Sequence, residues 1–286
     1  MQGRTNRVER FCGLAAIRAA ALRHIRTASA AFATENCDPG AHQLARQLVD
    51  EGAVGRITSG TCFVQSPGME MWHPNPDFFF QPGGGPVLDL GPYYVSNLVQ
   101  LLGPVKTVAA MASSGSEYRT ITSQPRHGEK IKVETPTTIH AVLSFHSGAQ
   151  VTFISSWDVW QHGHSNMELY GQTGTLHVPD PNFFGGEVRM TRKGAFVNAP
   201  GIDHPFGQAN QDDGRANYRC SGLADMAQGI LENRPHRCSL DFALHVVDVM
   251  TAILTSGAER RFIDLSTTCE RPAALTPEDA KALMAR

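Results

Sequence analysis

Apolar residues recur with a helical period in two segments of the first third of the chain. Leu44 and Leu48 lie one turn apart within residues 38–55, a segment that ends in glycine stop signals. Residues 90–102 repeat this spacing with leucines and a tyrosine, and Gly103, followed by proline, ends the pattern. We therefore predict one helix in each segment.

In residues 56–65, and again from residue 104 to about 198, the apolar residues instead occur in short alternating or β-branched runs, separated in the second region by glycine, proline or asparagine. Ser147 and Gly148 predict a hairpin turn between two of these runs. The predicted strands are 56–65, 105–112, 137–145, 149–157, 166–171, 175–178 and 187–191. This succession of strands favours one large sheet.

Helical spacing returns in residues 215–234 and 239–259, and Thr276 with Pro277 predicts the cap and first residue of a final helix. Strands in succession flanked by helices predict an α+β fold, an open mostly antiparallel sheet with helices on one face. The other face of such a sheet is free for a partner. We therefore expect a homo-oligomer formed through the open sheet face.

Charge and cysteine usage narrow the function classes. The chain has 25 Lys and Arg against 27 Asp and Glu, without a long block of one sign, which argues against a nucleic-acid or anionic-membrane partner. No uninterrupted apolar run approaches the roughly 18 residues of a membrane span. The six scattered cysteines lack a C-x-x-C pair and predict reduced thiols in a cytoplasmic protein.

The first 37 residues differ in composition from the body, residues 38–286. Residues 1–34 contain six arginines and many alanines, and Glu9 is their only acid. Three interpretations stay open: a transit peptide, a short Ala-rich helix, or a replaced start joined to a body that once had a longer N-terminal half. We treat residues 1–37 as an atypical segment and residues 38–286 as one substrate-binding or catalytic domain.

The stretch GGGPVLDLGPYY places Gly83, Gly84 and Gly85 before Asp89 and Tyr93, which are four residues apart. One interpretation is structural: a sharp turn, a helix start and a core tyrosine. The other is chemical, because side chains at i and i+4 share a helix face. The phenol then transfers a proton, the carboxylate orients a substrate hydroxyl, and the glycines let a flat ligand approach the backbone. Pro92 predicts that the helix is kinked there or begins there.

The loop before the glycines carries WHPNP, with Trp72, His73 and Asn75. It is either a proline-rigid surface loop or the wall of a sugar site, with the indole stacking on the ring and the other two bonding hydroxyls. Of the twelve histidines, His162 with His164 and His245 with Asp248 are the nearest metal candidates, but no H-E-x-x-H occurs. We predict no metal and interpret His245 as a core or interface residue.

The stretch GGGPVLDLGPYYVSNLVQLLGPV resembles the signature of the glucose–fructose oxidoreductase, inositol dehydrogenase and rhizopine-catabolism (Gfo/Idh/MocA) family. The resemblance continues in order through WHPNPDFFFQPGGG, ELYGQTGTLHVPDPNFF and GLADMAQGILENRPHR and covers roughly residues 38–272. It implies hydride transfer between NAD or NADP and a hydroxyl-bearing carbon of a sugar or polyol. It also implies that Tyr93 transfers the proton, that Asp89 orients the substrate, and that the WHPNP loop contacts the sugar.

Two features of the family pattern are missing. No G-x-G-x-x-G occurs in the chain, so the phosphate-binding fingerprint of a Rossmann domain is absent. The family's Glu-Lys-Pro is also missing, since Ile131 follows Glu129-Lys130. Without a cation beside it, a phenol is a poor base at neutral pH. We therefore expect an impaired oxidoreductase whose cofactor half is absent or replaced, or else a non-catalytic sugar-binding or dimerising remnant.

Overall fold

The structure, a computed structural model, describes residues 40–199, 203–212 and 216–285. The atypical N-terminal segment and its boundary at residue 37 lie outside the described residues, and its three interpretations stay open.

Nine of the described strands form one sheet in the order β10-β9-β8-β7-β1-β6-β5-β2-β11, and β3 pairs with β4 in a separate two-stranded sheet. Within the large sheet β1 and β6 run parallel and the other neighbours run antiparallel, so the predicted mostly antiparallel sheet is confirmed. The strands are β1 Ile57–Gln65, β2 Val105–Ser113, β3 Tyr118–Thr120, β4 Lys130–Lys132, β5 Thr138–Phe145, β6 Gln150–Ser156, β7 Met167–Gly171, β8 Thr175–Val178, β9 Arg189–Arg192, β10 Ala195–Asn198 and β11 Ile263–Asp264.

Three helices cover one face of the large sheet and form the main hydrophobic core with it. α1 packs on α3 and β8, α3 packs on β1 and α5, and α5 packs on β2. Leu98 of α3, Val249 of α5 and Phe153 of β6 are fully buried in this core. The helices are α1 Gly40–Asp50, α2 Pro86–Asp89, α3 Gly91–Leu102, α4 Ser221–Glu232, α5 Leu240–Glu259 and α6 Pro277–Met284. The predicted α+β class, with helices on one sheet face, is confirmed.

Local signals that the sequence predicted are found where they were expected. The amide of Gly148 donates to Phe145 O at 2.9 Å and closes the hairpin between β5 and β6. The hydroxyl of Thr276 caps α6 by accepting from Asp279 N at 3.1 Å. His245 is fully buried, accepts from Val105 N and bonds Thr267 Oγ1 through its other nitrogen, so its interpretation as a core residue is confirmed.

Four short strands were not predicted, namely β3, β4, β10 and β11, and α4 begins at Ser221 instead of residue 215. β11 has two residues, and its partner on β2 lies more than 150 residues earlier, at the pairing of Ile263 with Val108. Strands this short carry no period of their own and form because a neighbouring strand offers hydrogen bonds.

Cys238 is disulfide-bonded, whereas Cys62, Cys220 and Cys269 are free. The prediction that all six cysteines are reduced is therefore wrong for Cys238. Disulfide formation depends on the distance and direction of two Cβ atoms in space, which the spacing of cysteines along a chain of this length does not reveal.

Helix α5 is long and apolar enough to cross a membrane by length and composition alone. Core helices of soluble proteins meet the same criterion. Val246, Val249 and Ile253 of α5 are fully buried in the main core, which accounts for its apolar character.

Candidate functional site

Asp89 and Tyr93 lie on either side of a break between two helices. Asp89 is the last residue of α2 and Tyr93 is the third residue of α3, with Leu90 between the helices at φ −98° and ψ −19°. Asp89 and Tyr93 therefore do not share one regular helix face, as the chemical interpretation assumed. The prediction that a helix is kinked or begins near Pro92 is confirmed, because α3 begins at Gly91. Both side chains are half-buried.

The sequence did not predict the cation that meets Tyr93. Arg219, from the segment just before α4, donates from Nη1 to Tyr93 Oη at 2.9 Å. Its guanidinium carbon also lies 5.4 Å from the centre of the Tyr93 ring, within the range of a cation–π contact. A charged donor therefore contacts the phenol that the resemblance identified as the proton-transferring group.

Arg219 is held in place by the loop that follows β8. Nη2 of Arg219 donates to the carbonyl oxygen of Asn182 at 3.2 Å and to its Oδ1 at 3.0 Å. The amide of Asn182 in turn donates to Asp180 Oδ1 at 2.9 Å. Arg219 thus connects the start of α3 to this loop.

Asp180 is a half-buried carboxylate that anchors the loop. Its Oδ1 accepts from Tyr94 Oη at 2.8 Å, and Asn166 Nδ2 donates to the same phenol oxygen at 3.2 Å. Burial raises the pKa of the Asp180 carboxyl, and burial followed by the charge of Asp180 raises the pKa of Tyr94. Tyr94 is therefore a structural neighbour of Tyr93 that keeps its proton.

A buried histidine on α1, His42, also contacts the loop that follows β8. His42 Nε2 donates to Phe183 O at 3.2 Å, and Asn97 Nδ2 donates to His42 Nδ1 at 3.1 Å. Burial lowers the pKa of His42 to about 4, so the ring is neutral at neutral pH and its two nitrogens have distinct donor and acceptor roles. The sequence analysis missed this group because α1, α3 and the loop meet only in the folded chain.

The WHPNP loop lies over a second, smaller core formed by Met69, Phe79, Phe80, Ile121, Ile131 and Trp157. The ring of His73 lies edge-on to Phe79 at 5.2 Å, and its Nδ1 accepts from Asn75 N at 3.1 Å. The side chain of Trp72 is 64% exposed. The loop is thus a packed surface loop that presents a free indole face, and a role in sugar binding stays a prediction.

The three glycines are explained by packing in one case and by backbone angles in the others. A Cβ on Gly84 would lie 2.5 Å from the carbonyl oxygens of Phe78 and Phe79, so the close backbone approach there is to the chain itself. Gly83 and Gly85 have φ values of +96° and +93°, which favour glycine. Their contact with a cofactor stays a prediction.

Across residues 40–199, 203–212 and 216–285, no group of three or more His, Cys, Asp or Glu side chains is arranged to hold a metal ion. The predicted metal candidates serve other contacts. His162 and His164 have stacked rings 6.0 Å apart, and Asp248 accepts from Ser266 and Thr267.

Three solved structures with a similar fold are oxidoreductases. The NAD binding oxidoreductase from Klebsiella pneumoniae superposes with a TM-score of 0.62 and 22% sequence identity. The superposition covers 78% of this chain and 63% of the Klebsiella chain. The aldose-aldose oxidoreductase from Caulobacter crescentus, complexed with glycerol, has a TM-score of 0.59 and 22% identity, with 79% and 61% covered. Levoglucosan dehydrogenase in complex with NADH and L-sorbose has a TM-score of 0.61 and 20% identity, with 80% and 63% covered.

This chain spans about three fifths of the length of these structures. No curated protein matches it significantly. Residues 42–177, which include Asp89 and Tyr93, match the model of the GFO/IDH/MocA C-terminal domain. The matched part of the chain is therefore similar to the GFO/IDH/MocA C-terminal domain.

Proposed function

We propose that the described part of this chain is the substrate half of an NAD(P)-dependent oxidoreductase that acts on a hydroxyl-bearing carbon of a sugar or polyol. Tyr93 exchanges a proton with the substrate hydroxyl, and Asp89 accepts a hydrogen bond from a second hydroxyl. The solved structures of this fold support the substrate class, since one is complexed with L-sorbose and another with glycerol.

One observation carries this proposal. The phenol of Tyr93 and the carboxylate of Asp89 border the same helix break, and a guanidinium lies 2.9 Å from the phenol oxygen. A phenol next to a fixed cation is better suited to accept a proton than an isolated phenol, because the cation stabilises the charged form. A structural tyrosine in the core needs no such partner.

The described residues do not fit a dinucleotide. The pyrophosphate of NAD(P) is bound by glycines between a strand and a helix N-terminus, and the sequence has no G-x-G-x-x-G. The glycine run precedes α2, which has only four residues. The backbone carbonyls of Phe78 and Phe79 occupy the space beside Gly84 where a ligand would approach. The nicotinamide, which accepts or supplies the hydride, must therefore be bound by residues other than those described or by a separate chain.

A non-catalytic sugar-binding or dimerising protein is the alternative. It shares the fold and the ligand class and differs only in turnover. Supplying the cofactor distinguishes the two functions. The alternative predicts a chain that binds the sugar but does not oxidise or reduce it when a nicotinamide cofactor is present.

The test combines calorimetry and NADH absorbance on the full chain. We expect saturable binding of L-sorbose or glycerol, and turnover when NAD or NADP is supplied together with a nucleotide-binding domain from a relative of this fold. Tyr93→Phe should lower turnover at least about tenfold and leave sugar binding nearly intact. Tyr118→Phe, which removes an exposed phenol on β3, is the matched control. Sugar binding without turnover favours the alternative, and equal turnover in Tyr93→Phe removes the proton-transfer role.

A further inference from the structure

We propose that Arg219 is a positioning residue for Tyr93: its guanidinium fixes the phenol and favours the phenolate form, replacing the cation that the sequence lacks beside Tyr93. This inference rests on the proposed function, in which Tyr93 exchanges a proton with substrate. It adds a residue from outside the matched domain, since the family model ends at residue 177.

The two contacts between Arg219 and Tyr93 act in the same direction. The hydrogen bond from Nη1 to Oη, at 2.9 Å, strengthens when the oxygen becomes an anion. The guanidinium carbon, 5.4 Å from the ring centre, adds attraction to the electron-rich ring. Since an arginine keeps its charge throughout the range in which proteins fold, this support for the phenolate does not vary with pH.

Arg219 is fixed independently of Tyr93. Its Nη2 donates twice to Asn182, and Asn182 is tied to Asp180 through the backbone amide. A donor that is already oriented loses less side-chain entropy when it meets the phenol, so more of the interaction is retained. The loop after β8 therefore positions Arg219, and Arg219 positions Tyr93.

Carboxylates also border this group and oppose the effect of the cation. Asp89 ends α2, four residues before Tyr93, and Asp180 lies in the loop after β8, where the charge of Arg219 acts on it. Arg219 hydrogen-bonds the phenol oxygen of Tyr93, whereas Asp180 hydrogen-bonds that of Tyr94. Titration of Tyr93 measures the balance between the cation and these carboxylates directly.

The experiment is a spectrophotometric pH titration of tyrosinate absorbance, which needs neither substrate nor cofactor. The chain has five tyrosines, and subtracting the titration of Tyr93→Phe isolates Tyr93. Burial raises the pKa of Tyr94 and of Tyr170, so these two ionise later. We expect the Tyr93 midpoint to lie below the ordinary value of about 10.

Arg219→Gln should raise that midpoint by about one pH unit or more, and Arg219→Lys, which keeps the charge, should restore most of the difference. Asn182→Ala removes one acceptor that holds Arg219 and should raise the midpoint by less; it also serves if Arg219→Gln does not fold. An unchanged midpoint in these variants overturns the inference. Because no ligand is used, this result is separate from a failure of the proposed function, which would appear as absent sugar binding.

Discussion

Tyr94 and Asp180 form a partly buried hydrogen bond, with Tyr94 Oη 2.8 Å from Asp180 Oδ1, next in sequence to the Tyr93 proposed to act on substrate. Tyr94 is 3% exposed. The bond ties α3 to the loop that holds Arg219. Neighbouring tyrosines in the sequence therefore have opposite roles: Tyr94 stabilises the frame, and Tyr93 faces the proposed site.

Tyr94→Phe should destabilise the protein by roughly 1–3 kcal/mol, because it leaves the half-buried carboxylate of Asp180 with one hydrogen bond fewer. Urea denaturation measures this change in the free energy of unfolding. Tyr118→Phe, at a residue 49% exposed, should change it by less than about 0.5 kcal/mol. Equal stability of Tyr94→Phe and wild type contradicts the role given to this bond.

His42 should make the fold sensitive to mild acid. Its folded-state pKa, lowered by burial to about 4, lies below the value of 6.5 for an exposed histidine. The stability it contributes is therefore complete above about pH 6.5 and is lost as the pH falls toward 4, by about 3 kcal/mol in all.

The comparison variant is His42→Gln, which keeps a donor and an acceptor without a titrating ring. Unfolding free energies measured between pH 7 and pH 4 should fall less steeply for His42→Gln than for wild type. His127→Gln, at an exposed position, should follow the wild-type curve. Parallel curves for wild type and His42→Gln refute this account of the buried ring.

The open face of the large sheet is the proposed interface between two copies of this chain. Met111, Val142 and Phe196 are exposed by 74%, 46% and 64%. The strand register places all three on the face opposite the helices. Exposed apolar side chains in one such surface favour burial against a partner.

Met111→Lys combined with Val142→Lys should convert a dimer into a monomer, because each lysine would bring an unpaired charge into the interface. Light scattering after size-exclusion chromatography measures the mass. Leu231→Lys, at an 82% exposed residue of α4, is the control and should leave the mass unchanged. A wild-type chain that is monomeric at high concentration rules out this interface.

A substitution at Trp72 tests whether the WHPNP loop contributes to sugar binding. Because its indole is exposed while His73 is packed, Trp72→Ala should weaken sugar binding with little loss of stability. Stacking on a sugar ring predicts a loss of roughly tenfold in affinity. Phe78→Ala, at a 55% exposed aromatic in the turn that follows the loop, is the comparison variant. Unchanged affinity in Trp72→Ala removes this loop from the site.

The long elements could be predicted from the sequence because their pattern is local. Strands β5 and β6 lie within one residue of their predicted bounds, and α5 begins one residue after its predicted start. Their alternating or helical spacing extends over several residues and therefore identifies each element. The two-residue β11 has no such pattern and depends on β2 for its hydrogen bonds.

The site was predicted only in part, for a related reason. Asp89 and Tyr93 are close in sequence and were identified together, although a helix break separates them. Arg219 is 126 residues from Tyr93, and nothing in the residues around it distinguishes it from the other arginines. A phenol that accepts a proton needs a nearby cation. This chemical requirement was the only sign in the sequence that a residue such as Arg219 exists.

The most direct test of the account is calorimetric titration of wild type and Asp89→Ala with L-sorbose and with glycerol. We predict saturable binding to wild type and a loss of about tenfold or more in Asp89→Ala, since a hydrogen bond to a charged group contributes roughly 1.5–3 kcal/mol. Glu117→Ala, which removes an exposed carboxylate between β2 and β3, should bind as wild type does. No binding to wild type at millimolar ligand, or equal binding by Asp89→Ala, contradicts a sugar or polyol site at Asp89 and Tyr93.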